Sequence, residues 1–297
     1  MRKSNNSMLV YFAFGITIFL WSSAFPVIKI ALIDFKAEHL STLRLLIAAI
    51  ILLILGTIKR IPLPNIKDIP FILLLGFCGF TVYHTALSIG EYYVSAGVAS
   101  LIVSTTPIFS ALLATYFLKE RFSKLAWLGS LVAFLGVALI SLGNGDKLNV
   151  FIIGIVLVLL ASFGESVYFA FQKKYLEKYG FIPLTIYTII AGALFMFILL
   201  PGSFNELQTA NMTSILSVIY LGAFPTVIPY IALAYTIQKV GVADATISLY
   251  LTPVVSLILA YFMLGETPTL FAIIGGVITL IGVTITSSNA KESVDLK

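Results

Sequence analysis

Two threonine–proline pairs, one glutamate and one histidine lie where polar chemistry is costly. Thr106-Pro107 and Thr252-Pro253 each fall inside a long apolar run. A central proline removes one backbone hydrogen bond and kinks a helix. In a bilayer the freed carbonyls must be satisfied inside the protein, often where they line a cavity. The pairs read as two hinges beside a substrate path, or else as packing kinks, since proline is common in membrane helices. Their repetition at equivalent positions, each after a threonine, favours hinges. Glu165 also lies within an apolar run. A bare charge there costs at least about 2.5 kcal/mol, so Glu165 faces the bundle interior and is either protonated or paired. It reads as a proton-coupling or substrate-ammonium site, or as a structural hydrogen bond between helices. His84 is the one histidine within an apolar run. It reads as a ligand for a polar group or as a structural donor.

Other polar residues suit architecture better. Arg44 begins a run and reads as snorkelling to the interface or capping a neighbouring helix, with carboxylate attraction as the rival reading. Lys239 and Asp244 read as interfacial. Glu120 and Glu266 recur at the ends of the proline helices and read as ties to loop backbone. Gly129/Gly136 and Gly275/Gly282 are spaced seven apart, which puts each pair on one helix face as a close-packing seam.

These residues need helices that cross a membrane. Of 297 residues, 60% are hydrophobic and 10% charged, against about 25% charged in soluble domains. That composition predicts an all-α integral membrane protein. Ten apolar runs are long enough to span a bilayer. They lie near 8–33, 40–58, 69–89, 95–118, 124–143, 150–172, 182–201, 212–237, 243–263 and 270–288. Connections are short and leave no room for a soluble domain. The apolar run that follows Met1-Arg-Lys is too long for a cleaved leader and reads as a retained first span. The single cysteine, Cys78, reads as a small hydrophobe and permits no intrachain disulfide. A net charge of +5 with no contiguous basic patch gives no sign of nucleic-acid binding.

The stretch 83–140 repeats, without a gap, as 229–286, with 15 identities in 58 positions. This divides the chain into a first half, 1–145, and a second, 146–297. The two loops differ systematically. The first reads Lys119-Glu-Arg-Phe-Ser-Lys124 and the second Gly265-Glu-Thr-Pro-Thr-Leu270, so all three basic residues are lost. With the N-terminus inside, fourteen Lys and Arg fall on the cytoplasmic side and three outside, with Arg44 inside a span, accounting for all 18. Both termini are therefore expected in the cytoplasm of a cell-membrane protein. Five spans per half, an odd number, then make the halves an inverted repeat (5+5), the architecture secondary transporters use for alternating access.

The segment Ala86-Leu87, Ala99, Thr106-Pro107, Leu118-x-Glu120-Arg121, Gly129 and Gly136, with its second copy, resembles the EamA-type domain. So do Trp21-Ser22-Ser23-Ala24-Phe25 and Arg44. The resemblance covers nearly the whole chain and is to bacterial ten-span members of the drug/metabolite transporter superfamily. It implies a central cavity lined mainly by spans 1, 3, 4, 6, 8 and 9. Known members move amino acids, nucleotide-related metabolites, sugars or drugs. The sixth span departs from the pattern, with Ala161-Ser-Phe-Gly-Glu165-Ser in place of Trp-Ser-Ser. On the cavity that the resemblance implies, the candidate substrate-binding residues are Trp21, Ser22, Tyr83, His84, Thr106, Glu165, Tyr168, Tyr230, Tyr250 and Thr252. Pro107 and Pro253 are the hinges.

Such a path offers aromatic faces and hydroxyls but no cluster of Arg or Lys to balance a phosphate. The expected cargo is a small zwitterion or amphipathic cation, an amino acid or related amine, moved outward, with protons as the coupling ion. No cofactor, metal site or catalytic residue is expected. No GxxxxGK[ST] loop is present to supply an ATPase motor. An intramembrane enzyme would need a clustered acid–base or metal motif, and the only histidines, His39 and His84, form none. A non-transporting membrane subunit would need neither paired prolines nor a buried glutamate. Oligomeric state is left open.

Overall fold

The structure, a computed structural model, describes residues 2–117, 123–141, 148–240 and 251–295. The junction near residue 145, Glu120 with its flanking Lys119 and Arg121, Asp244, Tyr250 and the side chain of Lys239 lie outside the described residues.

Among the described residues the elements are all helical. The first half holds α1 (Arg2–Ala31), α2 (Ala37–Ile58), α3 (Ile69–Gly76), α4 (Tyr83–Gly90), α5 (Ala96–Val103), α6 (Thr106–Phe117) and α7 (Lys124–Ser141). The second holds α8 (Leu148–Phe171), α9 (Lys173–Tyr179), α10 (Phe181–Met196), α11 (Leu200–Thr209), α12 (Met212–Ala223), α13 (Ile228–Val240), α14 (Thr252–Leu264) and α15 (Leu270–Asp295). A π-helical turn, Phe77–Val82, joins α3 to α4, so 66–90 is one long apolar rod. Seven helical stretches are long and apolar enough to cross a bilayer, and Lys124–Ile140, Thr252–Leu264 and Leu270–Thr286 are shorter apolar helices. The seventh run extends past its expected end at 201, as Phe181–Thr209.

The polarity is that of a protein in lipid. Large apolar side chains such as Phe262, Ile198, Phe12 and Trp127 face outward, as a hydrocarbon solvent allows. Inside, hydroxyls are common, and many donate to a carbonyl one turn back: Thr17 to Ala13, Ser162 to Val158, Thr188 to Leu184. That bond satisfies the hydroxyl without a partner helix.

The two halves pack reciprocally. The first helix of each lies against the third and fourth runs of the other: α1 on α13 and α14, α8 on α4 and α6. The closest pair is α7 with α15. Gly129 meets Gly282 and Gly136 meets Gly275, so these helices run antiparallel. Under the 146-residue offset, Gly129 is equivalent to Gly275 and Gly136 to Gly282. The two contacts are therefore copies of one another. Thr279 donates to the Ala133 carbonyl at 3.3 Å, and 133 + 146 = 279, which puts this pair on the local twofold axis.

Pro107 does not kink a continuous helix as the sequence suggests. In the fourth run the helix stops at Val103, turns through Ser104-Thr105, and restarts at Thr106. Pro107 thus sits in a first turn, where its missing N–H has no intrahelical role. Pro253 likewise lies in the first turn of α14. At the 104–105 break, three hydroxyls supply the donors. Ser104 donates to Leu101 O at 2.5 Å, Thr105 to Ile102 O at 2.7 Å, and Thr106 to Val103 O at 2.8 Å. Val103 O is the carbonyl that Pro107 deprives of its usual donor, so the Ser-Thr-Thr-Pro sequence breaks the helix and satisfies the break.

Beyond the break, Ser95 accepts from the Val98 N–H, and Glu266 accepts from the N–H groups of Ala96 and Gly97. The glutamate after the second proline helix thus caps the N-terminus of α5, the backbone tie expected of it.

Candidate functional site

Glu165 stands on α8, two turns before its end. It is 4% exposed. One carboxyl oxygen, Oε2, lies 3.3 Å from the Thr106 hydroxyl, and the other lies 3.4 Å from the Tyr230 hydroxyl. Thr106 has a single proton, and Val103 O is the nearer acceptor. A carboxylic acid that carries its own proton completes this set: it donates to Thr106 and accepts from Tyr230. A carboxylate would compete with Val103 O for the threonine proton. Protonated, Glu165 leaves the Thr106 hydrogen on Val103 O; ionised, it competes for that hydrogen.

One residue on, Ser166 donates to Thr106 O at 2.9 Å. Across the twofold, Ser22 donates to Thr252 O at 3.0 Å. Thr106 and Thr252 are equivalent, so Ser22 and Ser166 are too. The sixth span departs from Trp-Ser-Ser only in part: Ser166 fills the Ser22 role, and Glu165 stands where Trp21 stands in the first half. Only the first proline helix meets a carboxyl group from its partner. Thr252 Oγ1 is buried with no partner among the described residues.

Aromatic rings pack around the acid. Trp21 meets Tyr230 edge-on with centroids 5.2 Å apart and donates its indole N–H to Pro225 O. Phe80 touches Tyr230 at 4.8 Å and Tyr168 at 5.1 Å. Tyr83 lies 4.9 Å from the His84 ring, and Tyr168 lies 6.1 Å from Tyr230. Both nitrogens of His84 are buried without a partner among the described residues. Seven of the ten proposed substrate-binding residues are thereby brought into one neighbourhood: Trp21, Tyr83, His84, Thr106, Glu165, Tyr168 and Tyr230. Ser22 and Thr252 contact one another at the adjoining α1–α14 contact. Ser22 is spent on a helix carbonyl, which leaves its hydroxyl proton engaged.

The structure also overturns the snorkelling reading of Arg44 and brings Arg44 and Phe80 to the cluster. Arg44 does not snorkel: it is 2% exposed. Its Nε and Nη2 both donate to Thr226 Oγ1 at 3.1 Å, and Thr226 in turn donates to Leu221 O. The apolar run begins near residue 40, but the helix starts at Ala37. Arg44 is seven residues in, about 10 Å along the axis, at the level of the aromatic cluster. Phe80 was also missed. It sits in the π turn, which shifts the register by one residue and aims the ring at Tyr168 and Tyr230. Gly76 and Gly79 were the available signals. A Cβ on Gly79 would fall 2.5 Å from the Tyr168 Cβ.

The model of the EamA-like transporter family matches residues 8–142 and again 152–288. A Bacillus subtilis protein described as the uncharacterized transporter YdfC is 48% identical over 96% of this chain and 92% of its own. A Streptantibioticus cattleyicolor protein described as a probable terminal-alkyne amino-acid exporter is 35% identical over 91% of each chain. One crystal structure aligns with 96% of this chain and 97% of its own at a TM-score of 0.64 and 15% identity, a likeness of fold alone. Family and relatives alike are transporters and not enzymes. The chain is a multi-pass membrane transporter of the drug/metabolite transporter superfamily, and it belongs to the EamA-like transporter family, whose domain it carries twice.

Proposed function

We propose that the protein is a secondary transporter that exports a small zwitterion or amphipathic cation, an amino acid or related amine, by alternating access between two inverted five-helix halves. The observation that carries the reading is the buried carboxyl of Glu165, bonded to Tyr230, whose ring meets Trp21 and Tyr168, and joined to the break in the fourth run through Thr106. Aromatic faces attract ammonium groups at roughly 0.5–2 kcal/mol each, and a carboxyl group supplies a fixed partner. The curated relative described as an amino-acid exporter agrees in class. Flux of a panel of amino acids and amines in proteoliposomes tests this. Robust transport of a phosphorylated or sulfated substrate, with no response to amino acids or amines, would refute it.

Ten spans with both termini inside complete the reading. The antiparallel α7–α15 contact supports the inversion, because equivalent helices related by a twofold across their axes enter the bilayer from opposite sides. Lys124–Ile140, with 17 residues, is about 25 Å long, close to the hydrocarbon thickness. In a Cys78→Ala background, cysteines at Asn149 and Asn205 should react with impermeant thiol reagents from outside. Cysteines at Asn65 and Ser123 should not. Reversed labelling would refute the orientation.

The prolines are proposed as hinges. Pro107→Ala restores an N–H that can donate to Val103 O, the acceptor now served by Thr106. The two helix segments can then fuse. Pro107→Ala and Pro253→Ala should insert and fold normally, since a straight helix is stable in lipid, but transport should fall severalfold in each. Wild-type rates in both would make the prolines packing features only.

A further inference from the structure

We propose that Arg44 receives the carboxylate of the transported molecule, which makes the protein selective for amino acids over amines. The proposal rests on the reading of the cargo as a small zwitterion or amine and narrows it. Three features of the guanidinium carry it. Its orientation is fixed: Nε and Nη2 share the Thr226 hydroxyl, itself anchored to Leu221 O. Its remaining nitrogen, Nη1, is buried with no hydrogen-bond partner among the described residues. And it has no ion-pair partner among the described residues. The carboxylate that acts on it electrostatically is Glu91, and neither of its oxygens has a hydrogen-bond partner among the described residues. Lys29 is the stronger influence on Glu91, and its ammonium donates to the Glu91 carbonyl. A buried cation with an open N–H edge is unfavourable unless something anionic meets it.

The surroundings say what that anion is. Arg44 acts electrostatically on His84, Tyr83 and Tyr230, so it belongs to the same cluster as Glu165. Tyr83 and Tyr230 each sense both Arg44 and Glu165, while Arg44 and Glu165 make no ion pair with each other. Around these tyrosines stand one cation, Arg44, and two acids, Glu165 and Glu91, and neither acid makes an ion pair with Arg44 among the described residues. A single guanidinium suits a monoanion. A phosphate or sulfate dianion would need a second cation, and the cluster has none among the described residues. The unpartnered nitrogens of His84 beside it supply further polar contacts. A carboxylate at Arg44, with an ammonium toward Glu165 and the Tyr230 and Trp21 rings, gives the open Arg44 Nη1 a partner and sets the His84 nitrogens beside the ligand.

The test compares each of several neutral amino acids with its amide and with its decarboxylated amine. The full-length protein is used in proteoliposomes, and competition and flux are both read. Wild type should prefer the acid to the amide by roughly tenfold to hundredfold, the worth of a charge-assisted hydrogen-bond pair. Arg44→Gln should collapse the acid-to-amine ratio by the same factor, and Arg44→Lys should keep part of it. Equal handling of acid and amide by wild type would overturn the proposal, even should Arg44→Gln fail to fold. So would an unchanged ratio in folded Arg44→Gln. Transport of amines and amino acids alike would leave the broader function standing and remove the role of Arg44. No transport of any of these compounds would remove both.

Discussion

Glu165→Gln should abolish the dependence of transport on a pH gradient while substrate binding, though weaker, is retained. The amide is nearly isosteric. Its NH2 can donate to Thr106 Oγ1 and its carbonyl can accept from Tyr230, so both contacts, at 3.3 and 3.4 Å, survive. What the amide cannot do is gain or lose a proton. One proton moving down one pH unit supplies about 1.4 kcal/mol, or tenfold accumulation. A two-unit gradient should therefore drive roughly hundredfold accumulation in wild type and none in the variant. The mechanism proposed is local. When Glu165 is protonated, Thr106 keeps its hydrogen on Val103 O and the helix break stays satisfied. When the proton leaves, the carboxylate draws the Thr106 hydrogen and Val103 O loses its donor. Val103 O, in a bilayer, must then find another donor, which favours rearrangement of the α5–α6 break. A Glu165→Gln protein that remains fully gradient-dependent would sink this role.

Much of this architecture was legible in the chain, and for identifiable reasons. A bilayer demands long apolar runs and sorts basic loops, so the runs and their loop charges show plainly in composition. The repeat was visible because backbone-dictated residues, glycine and proline, must recur at equivalent positions. Gly129, Gly136, Gly275 and Gly282 do so, and they meet as expected of a packing seam. Glu165, His84 and the tyrosines were found because polar groups are conspicuous in an apolar run.

What was missed depends on position within a helix, which polarity alone does not reveal. Arg44 looked terminal because Glu38, His39 and Ser41 look like a loop, whereas they form the first turns of α2. Ser41 is buried and donates to the His84 carbonyl, a contact no pattern predicts. Phe80 was one of 23 phenylalanines, and only the π turn singles it out. Ser166 was hidden because the offset between halves changes from 146 to 144 before the third run, so 22 + 144 = 166 escapes an ungapped comparison. The prolines were recognised, but their place in a first turn was not, because the preceding Ser104-Thr105 turn has no distinctive signal apart from its hydroxyls.

Gly136→Val and Gly282→Val should each destabilise the folded protein by about 3 kcal/mol, and by nearly the same amount. A Cβ on Gly136 would fall 2.4 Å from Thr279 Oγ1 and 2.6 Å from the Gly275 carbonyl oxygen. On Gly282 it would fall 2.3 Å from the Ala133 nitrogen and 2.5 Å from the Gly129 carbonyl oxygen. Most of these obstacles are backbone atoms of a packed helix, which cannot swing aside. Replacing glycine in a helix normally gains up to about 1 kcal/mol of propensity, but here the clash is larger and sets the sign. Separating α7 from α15 also weakens the Thr279 bond to Ala133 O on the twofold. In detergent the melting midpoint should drop by roughly 6–12 °C for each variant. Gly15→Val is the control: a Cβ there meets nothing within 4 Å, and its midpoint should stay within a few degrees of wild type. The near-equality of the two losses is the sharper requirement, because positions 136 and 282 are the same residue in the two repeats. A large loss at one with none at the other would mean that the seam is not symmetric and that the halves do not meet as inverted copies.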